Sequence, residues 1–158
     1  MARDPSFRYV EVTDNAAPQA AVDEVGATSA PLLSASFFIG DRCKPYNDDF
    51  MLCRKESANG PVDCVKEGRR VTRCAISVLE DINKHCLDQF KAHWQCLEQN
   101  NHQLYACRPA ESVLNKCVFE KIGLKKTIPG VPEAEQVHLK QNPLLKPAFS
   151  YPTASSSQ

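Results

Sequence analysis

Eight cysteines, Cys43, Cys53, Cys64, Cys74, Cys86, Cys96, Cys107 and Cys117, are the residues of this chain best placed to do chemistry. They bound four segments, CKPYNDDFMLC, CVKEGRRVTRC, CLDQFKAHWQC and CRPAESVLNKC, each with nine residues between its cysteines. The last four cysteines repeat the spacing of the first four, 43 residues later. Thiols can bind metal, exchange disulfides, attack a substrate or cross-link the chain, and each use demands its own spacing. Structural zinc sites take ligand pairs two to four residues apart, and exchange enzymes use C-x-x-C to lower one thiol's pKa. Neither spacing occurs here. His93, one helical turn from Cys96, and His85, beside Cys86, are the only hints of a metal site, and they read as surface histidines next to cross-links. A cysteine nucleophile would stand alone, whereas all eight have a partner in the repeat. No dinucleotide fingerprint, phosphate loop or H-E-x-x-H motif is present. The expected assignment is therefore no catalytic residue, no metal and no cofactor. An even number of cysteines so closely grouped reads as a disulfide framework.

The spacing also says what must hold the cysteines. Ten residues of helix rise about 15 Å, so the two cysteines of a segment share a broad face but cannot join, since a disulfide needs Cα atoms within about 7 Å. Each must pair with a cysteine on another helix, and eight cysteines allow 105 connectivities in principle. An antiparallel hairpin within each unit selects Cys53–Cys64 with Cys43–Cys74, and Cys96–Cys107 with Cys86–Cys117. Ser57-Ala58-Asn59-Gly60-Pro61 supplies the first turn, with Gly suited to a helix end and Pro to a helix start; Asn100-Asn101 supplies the second more weakly. Val71, Ala75, Val78 and Ile82 carry the second helix beyond Cys74 as a linker, Leu87, Phe90, Trp94 and Leu97 stripe the third, and Leu104, Val113, Leu114, Val118 and Ile122 the fourth. Trp94 is expected to be buried. Pro109 implies a kink or a new helix start.

The fold expected is thus all-α, two tandem disulfide-stapled antiparallel helical hairpins. Residues 41–76 form the first, 77–85 a helical linker and 86–124 the second. Residues 1–40, with Pro5, Pro18 and Pro31, and the Pro-rich residues 125–158 are expected to be extended tails that gain order by lying on a neighbour. Phe37-Phe38-Ile39 is expected to cap the core of the first hairpin, with a docking edge as the alternative. A core of four short helices is small, which is why cross-links matter.

Charge narrows the function classes. The formal net charge is zero, and residues 41–126 carry fifteen basic against twelve acidic side chains, too balanced for nucleic-acid binding. The carboxylate neighbours Asp48-Asp49 and Glu80-Asp81 point apart on a helix and read as solvated faces. Residues 1–40 hold two basic and five acidic residues, unlike an Arg-rich cleaved presequence, and no apolar h-region marks a secretory signal. No window approaches the ~20 apolar residues of a membrane span. An oxidised framework without either import signal leaves the compartment unexplained on these grounds alone.

Paired C-x9-C helices stapled antiparallel resemble the CHCH, or twin C-x9-C, family. Its members enter the mitochondrial intermembrane space without a cleaved presequence and are trapped there by oxidation. Two units in tandem over about 41–124, with Phe50-Met51-Leu52-Cys53-Arg54 the most specific stretch, are similar to the tandem-CHCH accessory subunits of respiratory complex I. The resemblance implies a non-catalytic structural subunit of NADH:ubiquinone oxidoreductase. It would stabilise the membrane arm on its intermembrane-space face, peripheral on the inner membrane. Its partners would be membrane-arm subunits, the oxidative import machinery and possible contact with the inner-membrane surface, with no nucleic acid. Pro109 departs from the uninterrupted fourth helix expected of the family. The competing expectation is a free intermembrane-space assembly factor or metal carrier. Copper carriers need exposed cysteines beyond the hairpin pairs, and this chain has none to spare.

Overall fold

Helix-forming residues run much further toward the N-terminus than the cysteines do. The structure, a computed structural model, describes residues 24–140. Its first helix, α1, spans Ser29–Glu56; a single turn, α2, spans Gly60–Asp63; α3 spans Val65–Gln99 and α4 spans Arg108–Lys121. Short 3-10 turns lie at Leu104–Cys107, Glu133–Glu135 and Val137–Leu139. At 28 and 35 residues, α1 and α3 are rods of about 42 and 52 Å. They lie antiparallel along nearly their full length. Ser34 meets His93, Arg42 meets Asp81, and Cys43 and Cys53 meet Cys74 and Cys64.

The extended N-terminal segment expected up to residue 40 is therefore corrected: the chain is helical from Ser29, and only residues 1–23 of that segment lie outside the described residues. The reason is a stripe of small and aromatic residues. Ala30, Ser34, Ala35 and Phe38 are buried; the first three have short side chains that let α1 lie against α3, and Phe38 fills the core between the helices. Pro45 lies inside α1 without ending it.

Local sequence explains the turns. Ser57 closes α1 through its N–H to the Cys53 carbonyl, and its hydroxyl binds Asp63. Pro61 sits in the first turn of α2, where its missing N–H leaves no bond unmade. The second hairpin turns through Asn101 and His102, both in the left-handed region (φ 50° and 61°). Asn tolerates that conformation well. Asn100 donates its side-chain amide to the Cys96 carbonyl at 2.8 Å. Pro109 falls in the first turn of α4, a fresh helix start after the 3-10 turn.

A long helix shared by two hairpins must bend where they meet. α3 does so at Cys86, whose backbone (φ −137°, ψ 32°) is not helical. Lys121 Nζ donates to the adjacent His85 carbonyl at 3.2 Å, supplying a donor beside the broken ladder.

The main core gathers Ala35, Phe38, Tyr46, Val78, Leu79, Ile82, Phe90, Leu114 and Val118 around Cys43, Cys74, Cys86 and Cys117. A smaller cluster at the far end joins Ala30, Leu97 and Cys107, with Leu33, Trp94 and Leu104 against it. Phe38 stacks edge-on against Phe119 of α4 at 6.3 Å. The Phe37-Phe38-Ile39 run thus covers the junction with the second hairpin rather than capping the first alone. Trp94 is half-buried instead of buried, because it lies at the margin of both clusters. Leu87 and Val113 are exposed, off their helices' buried faces.

The described part of the C-terminal tail is not simply extended. Gln136 donates to the carbonyls of Ile128 and Val131 at 3.0 and 2.8 Å and accepts from the Ile128 N–H at 2.7 Å. These bonds fold residues 128–136 into a loop, while Asp41 of α1 accepts from the Lys125 N–H at 2.8 Å. Residues 141–158 lie outside the described residues. Among the described residues no helix is long and apolar enough to cross a membrane.

Candidate functional site

The eight cysteines form a ladder of four bridges. Cys43–Cys74 and Cys53–Cys64 tie α1 to α3 and its preceding turn, with Cα separations of 5.8 and 5.9 Å. Cys86–Cys117 and Cys96–Cys107 tie α3 to α4 and the turn before it, at 6.0 and 5.9 Å. All lie within the range a relaxed disulfide accepts. With the sulfurs bonded to one another, none is a thiolate ligand or a nucleophile.

A second cluster lies where α1, α3, α4 and the tail meet, and it escaped the sequence reading. His93, expected on the surface, is 1% exposed. Its Nδ1 lies 2.7 Å from Ser34 Oγ on α1. Burial pushes its imidazole down to about 4, with nearby Glu111 opposing and Lys126 and Arg108 assisting. His93 is thus neutral at neutral pH. Glu111 on α4 is 2% exposed and bonds both Arg108 and Lys126. Burial alone would raise its carboxyl; the Lys126 ammonium and Arg108 outweigh that and hold it below the usual carboxylate range. Lys126 is itself buried, and desolvation lowers its ammonium while Glu111 pulls the other way. Its Nζ also sits 4.5 Å from the centre of the Phe37 ring, a cation–π contact.

A Ser, a His and a Glu so close invite comparison with a nucleophilic triad. Such a triad needs an open hydroxyl, a base aimed at it and a carboxylate orienting that base. Here Ser34 is 5% exposed, Glu111 is committed to two cations, and His93 Nε2 has no hydrogen-bond partner. What the arrangement can do is fasten three helices and a tail through charge and hydrogen bonds.

The other sequence-level candidates are dispersed. His85 is exposed, Cys96 is bonded to Cys107 and His93 to Ser34, so the residues that hinted at a metal site do not converge. Among the described residues no three His, Cys, Asp or Glu side chains are placed to hold a metal ion. Asp48 pairs with Lys44 one turn away at 2.7 Å and remains solvated. Asp81 is more than a solvated face, because it binds Arg42 across the α1–α3 interface at 2.7 Å.

Comparison with known sequences gives this scaffold its relatives. The CHCH domain family matches residues 86–120, most of the second hairpin. The NADH-ubiquinone oxidoreductase 20.8 kDa subunit of Neurospora crassa is 62% identical over 122 residues, covering 76% of this chain and 67% of that protein. Two Arabidopsis thaliana proteins, NADH dehydrogenase (ubiquinone) 1 alpha subcomplex subunits 8-A and 8-B, are 35% and 33% identical. Each alignment covers 61% of this chain and 92% of the plant protein.

Proposed function

Because the chain belongs to the CHCH family of complex I subunits that includes the fungal 20.8 kDa subunit and subunit 8 of the alpha subcomplex, we infer that it is a structural accessory subunit of mitochondrial NADH:ubiquinone oxidoreductase. The carrying observation is the 62% identity to the fungal subunit. The plant alignments, which span nearly the whole of those proteins, support the same reading.

We further propose that the subunit has no catalysis of its own. In support, its cysteines serve as cross-links and its buried Ser34, His93 and Glu111 are committed to packing contacts. Its role is to add stability to the membrane arm, and its site is the intermembrane-space face, peripheral on the inner membrane. The oxidised ladder supports that location, since disulfides persist only where thiols are not kept reduced. Its partners are the neighbouring subunits of the arm, with the oxidative import machinery acting before assembly. The eight cysteines Cys43, Cys74, Cys53, Cys64, Cys86, Cys117, Cys96 and Cys107 act as staples, with no part in the chemistry of the complex.

A native gel of mitochondrial membranes, probed for this chain, tests the reading. Comigration with NADH:ubiquinone oxidoreductase activity is expected. A small soluble band alone would favour a free assembly factor. Replacing single cysteines separates staple from site: abundance and assembled complex should fall while turnover per assembled complex stays constant. Normal abundance with lost specific activity would overturn the structural role.

A further inference from the structure

We propose that Cys53–Cys64 is a site of reversible exchange with small-molecule thiols, opening the tip of the first hairpin while the other three bridges and the helical body stay intact. The inference rests on this chain alone and does not depend on its place in the complex. Three bridges lie within packed apolar clusters. Cys43, Cys74, Cys86 and Cys117 belong to the main core, and Cys107 belongs to the far cluster with Cys96 against it. The fourth, Cys53–Cys64, belongs to neither.

Cys64 is itself buried, but the chain around the bridge is mostly exposed. Between residues 47 and 63 only Gly60 is buried. Met51, Leu52 and Val62 are 65%, 53% and 54% exposed, so opening the tip would give up little burial. Free energies of local opening scale with such contacts, and a segment with few of them opens without the rest. The equivalent tip of the second hairpin differs. There the Asn100 amide holds the Cys96 carbonyl and lies 3.6 and 3.8 Å from the Cys96 and Cys107 sulfurs, and Leu97, beside Cys96, is fully buried.

The chemistry has a preferred direction. Cys53 is partly exposed, whereas Cys64 is 1% exposed. An incoming thiolate therefore attacks Cys53 Sγ along the S–S axis. A new S–S bond forms to the small thiol, the Cys53–Cys64 bond breaks, and its electron pair leaves on Cys64 Sγ. Cys64 caps the N-terminus of α3, where the helix field favours a thiolate and so a faster departure. The leaving thiolate then takes a proton from water. A second small thiolate can attack the mixed disulfide, releasing the oxidised thiol dimer and leaving two cysteine thiols. Reoxidation by the same oxidised dimer reverses both steps.

The test uses the oxidised full-length chain in buffers of reduced and oxidised glutathione at neutral pH. Samples are quenched with acid, free thiols are alkylated, and peptides are mapped by mass spectrometry. Glutathione on Cys53 and alkylation of Cys64 should appear roughly tenfold sooner than any change at the other six cysteines. Circular dichroism should show the helical signal retained at that stage. Simultaneous loss of all four bridges, or first loss of Cys96–Cys107, would overturn the proposal. A Cys53→Ser/Cys64→Ser variant should lack the fast phase of thiol release; a fast phase that persists would equally sink it.

Discussion

The two hairpins carry the same staples in different settings. In each, one bridge spans a sequence separation of 31 and the other of 11. Around the second hairpin, the N-terminal half of α1 packs on α3 and α4, and the tail fastens Lys126 to Glu111 beneath them. The first hairpin joins that core through Tyr46 and its outer bridge Cys43–Cys74, but its tip is solvated. Cysteine spacing therefore sets the hairpin geometry, but burial comes from elsewhere in the chain. A single helix, α1, serves both: its C-terminal half is one leg of the first hairpin and its N-terminal half is the roof of the second.

The largest effect that would sharpen this contrast is expected at Glu111. Glu111→Ala leaves Lys126 buried without its carboxylate, and breaking such a pair costs about 3–5 kcal/mol. Urea unfolding of the oxidised chain should show an unfolding free energy lowered by that amount. An effect below about 1 kcal/mol would mean that water reaches the pair and that the roofed hairpin is not as dry as its packing indicates.

Acid should act on the same region. His93 is held at about 4 when folded and has an ordinary value of 6.5 when unfolded. Between these the unfolded chain binds the extra proton, so the stabilisation is complete above 6.5 and drains away as pH falls toward 4. At about 1.4 kcal/mol per unit the loss is on the order of 3 kcal/mol. Protonation of Glu111, whose carboxyl is also held low when folded, adds in the same direction as pH falls below its ordinary value of 4.5. Unfolding free energy measured from pH 7 downward should show this slope, and His93→Gln should flatten the part above 4. An unchanged slope would place the acid sensitivity elsewhere.

Bridge removal gives a smaller but cleaner comparison. Chain entropy assigns equal values to Cys53–Cys64 and Cys96–Cys107, because their separations match, and about 1 kcal/mol more to the bridges that close the longer loops. Any excess loss for Cys96→Ala/Cys107→Ala over Cys53→Ala/Cys64→Ala thus reports packing and the Asn100 bonds. We expect an excess of about 1 kcal/mol, seen as a lower thermal midpoint. Equal losses would remove the distinction between the tips. The smallest effect should come from Asp48→Ala, which breaks the exposed Lys44–Asp48 pair on the first hairpin and should cost under about 0.5 kcal/mol.

What the sequence reveals follows the same divide. The hairpins are legible because a disulfide tolerates so little variation in Cα distance that its geometry is imprinted on spacing. The roof is not. Its buried face uses Ala30, Ser34 and Ala35, which give no strongly apolar stripe, and Pro31 reads as part of an extended tail. His93 looks like a surface histidine because its partner Ser34 is 59 positions away, and Glu111 and Lys126 are tied only once the tail folds back. Trp94 belongs to a legible stripe, but a stripe gives the side that faces inward and not how much of it a neighbour covers. The half-buried indole is the result.

The shared helix also sets an order of events. The hairpin tips close between residues 11 apart, whereas the roof's own ties join partners 59, 73 and 84 apart, from Ser34 to His93, Ser29 to His102 and Asp41 to Lys125. Closing a longer loop costs more chain entropy and comes later when nothing local rewards it. The N-terminal half of α1 precedes its partners in the chain, and its seat is complete only when α3 and α4 have both formed. On chain entropy alone, the hairpin tips are expected to close before this half of the helix is seated and Phe38 meets Phe119.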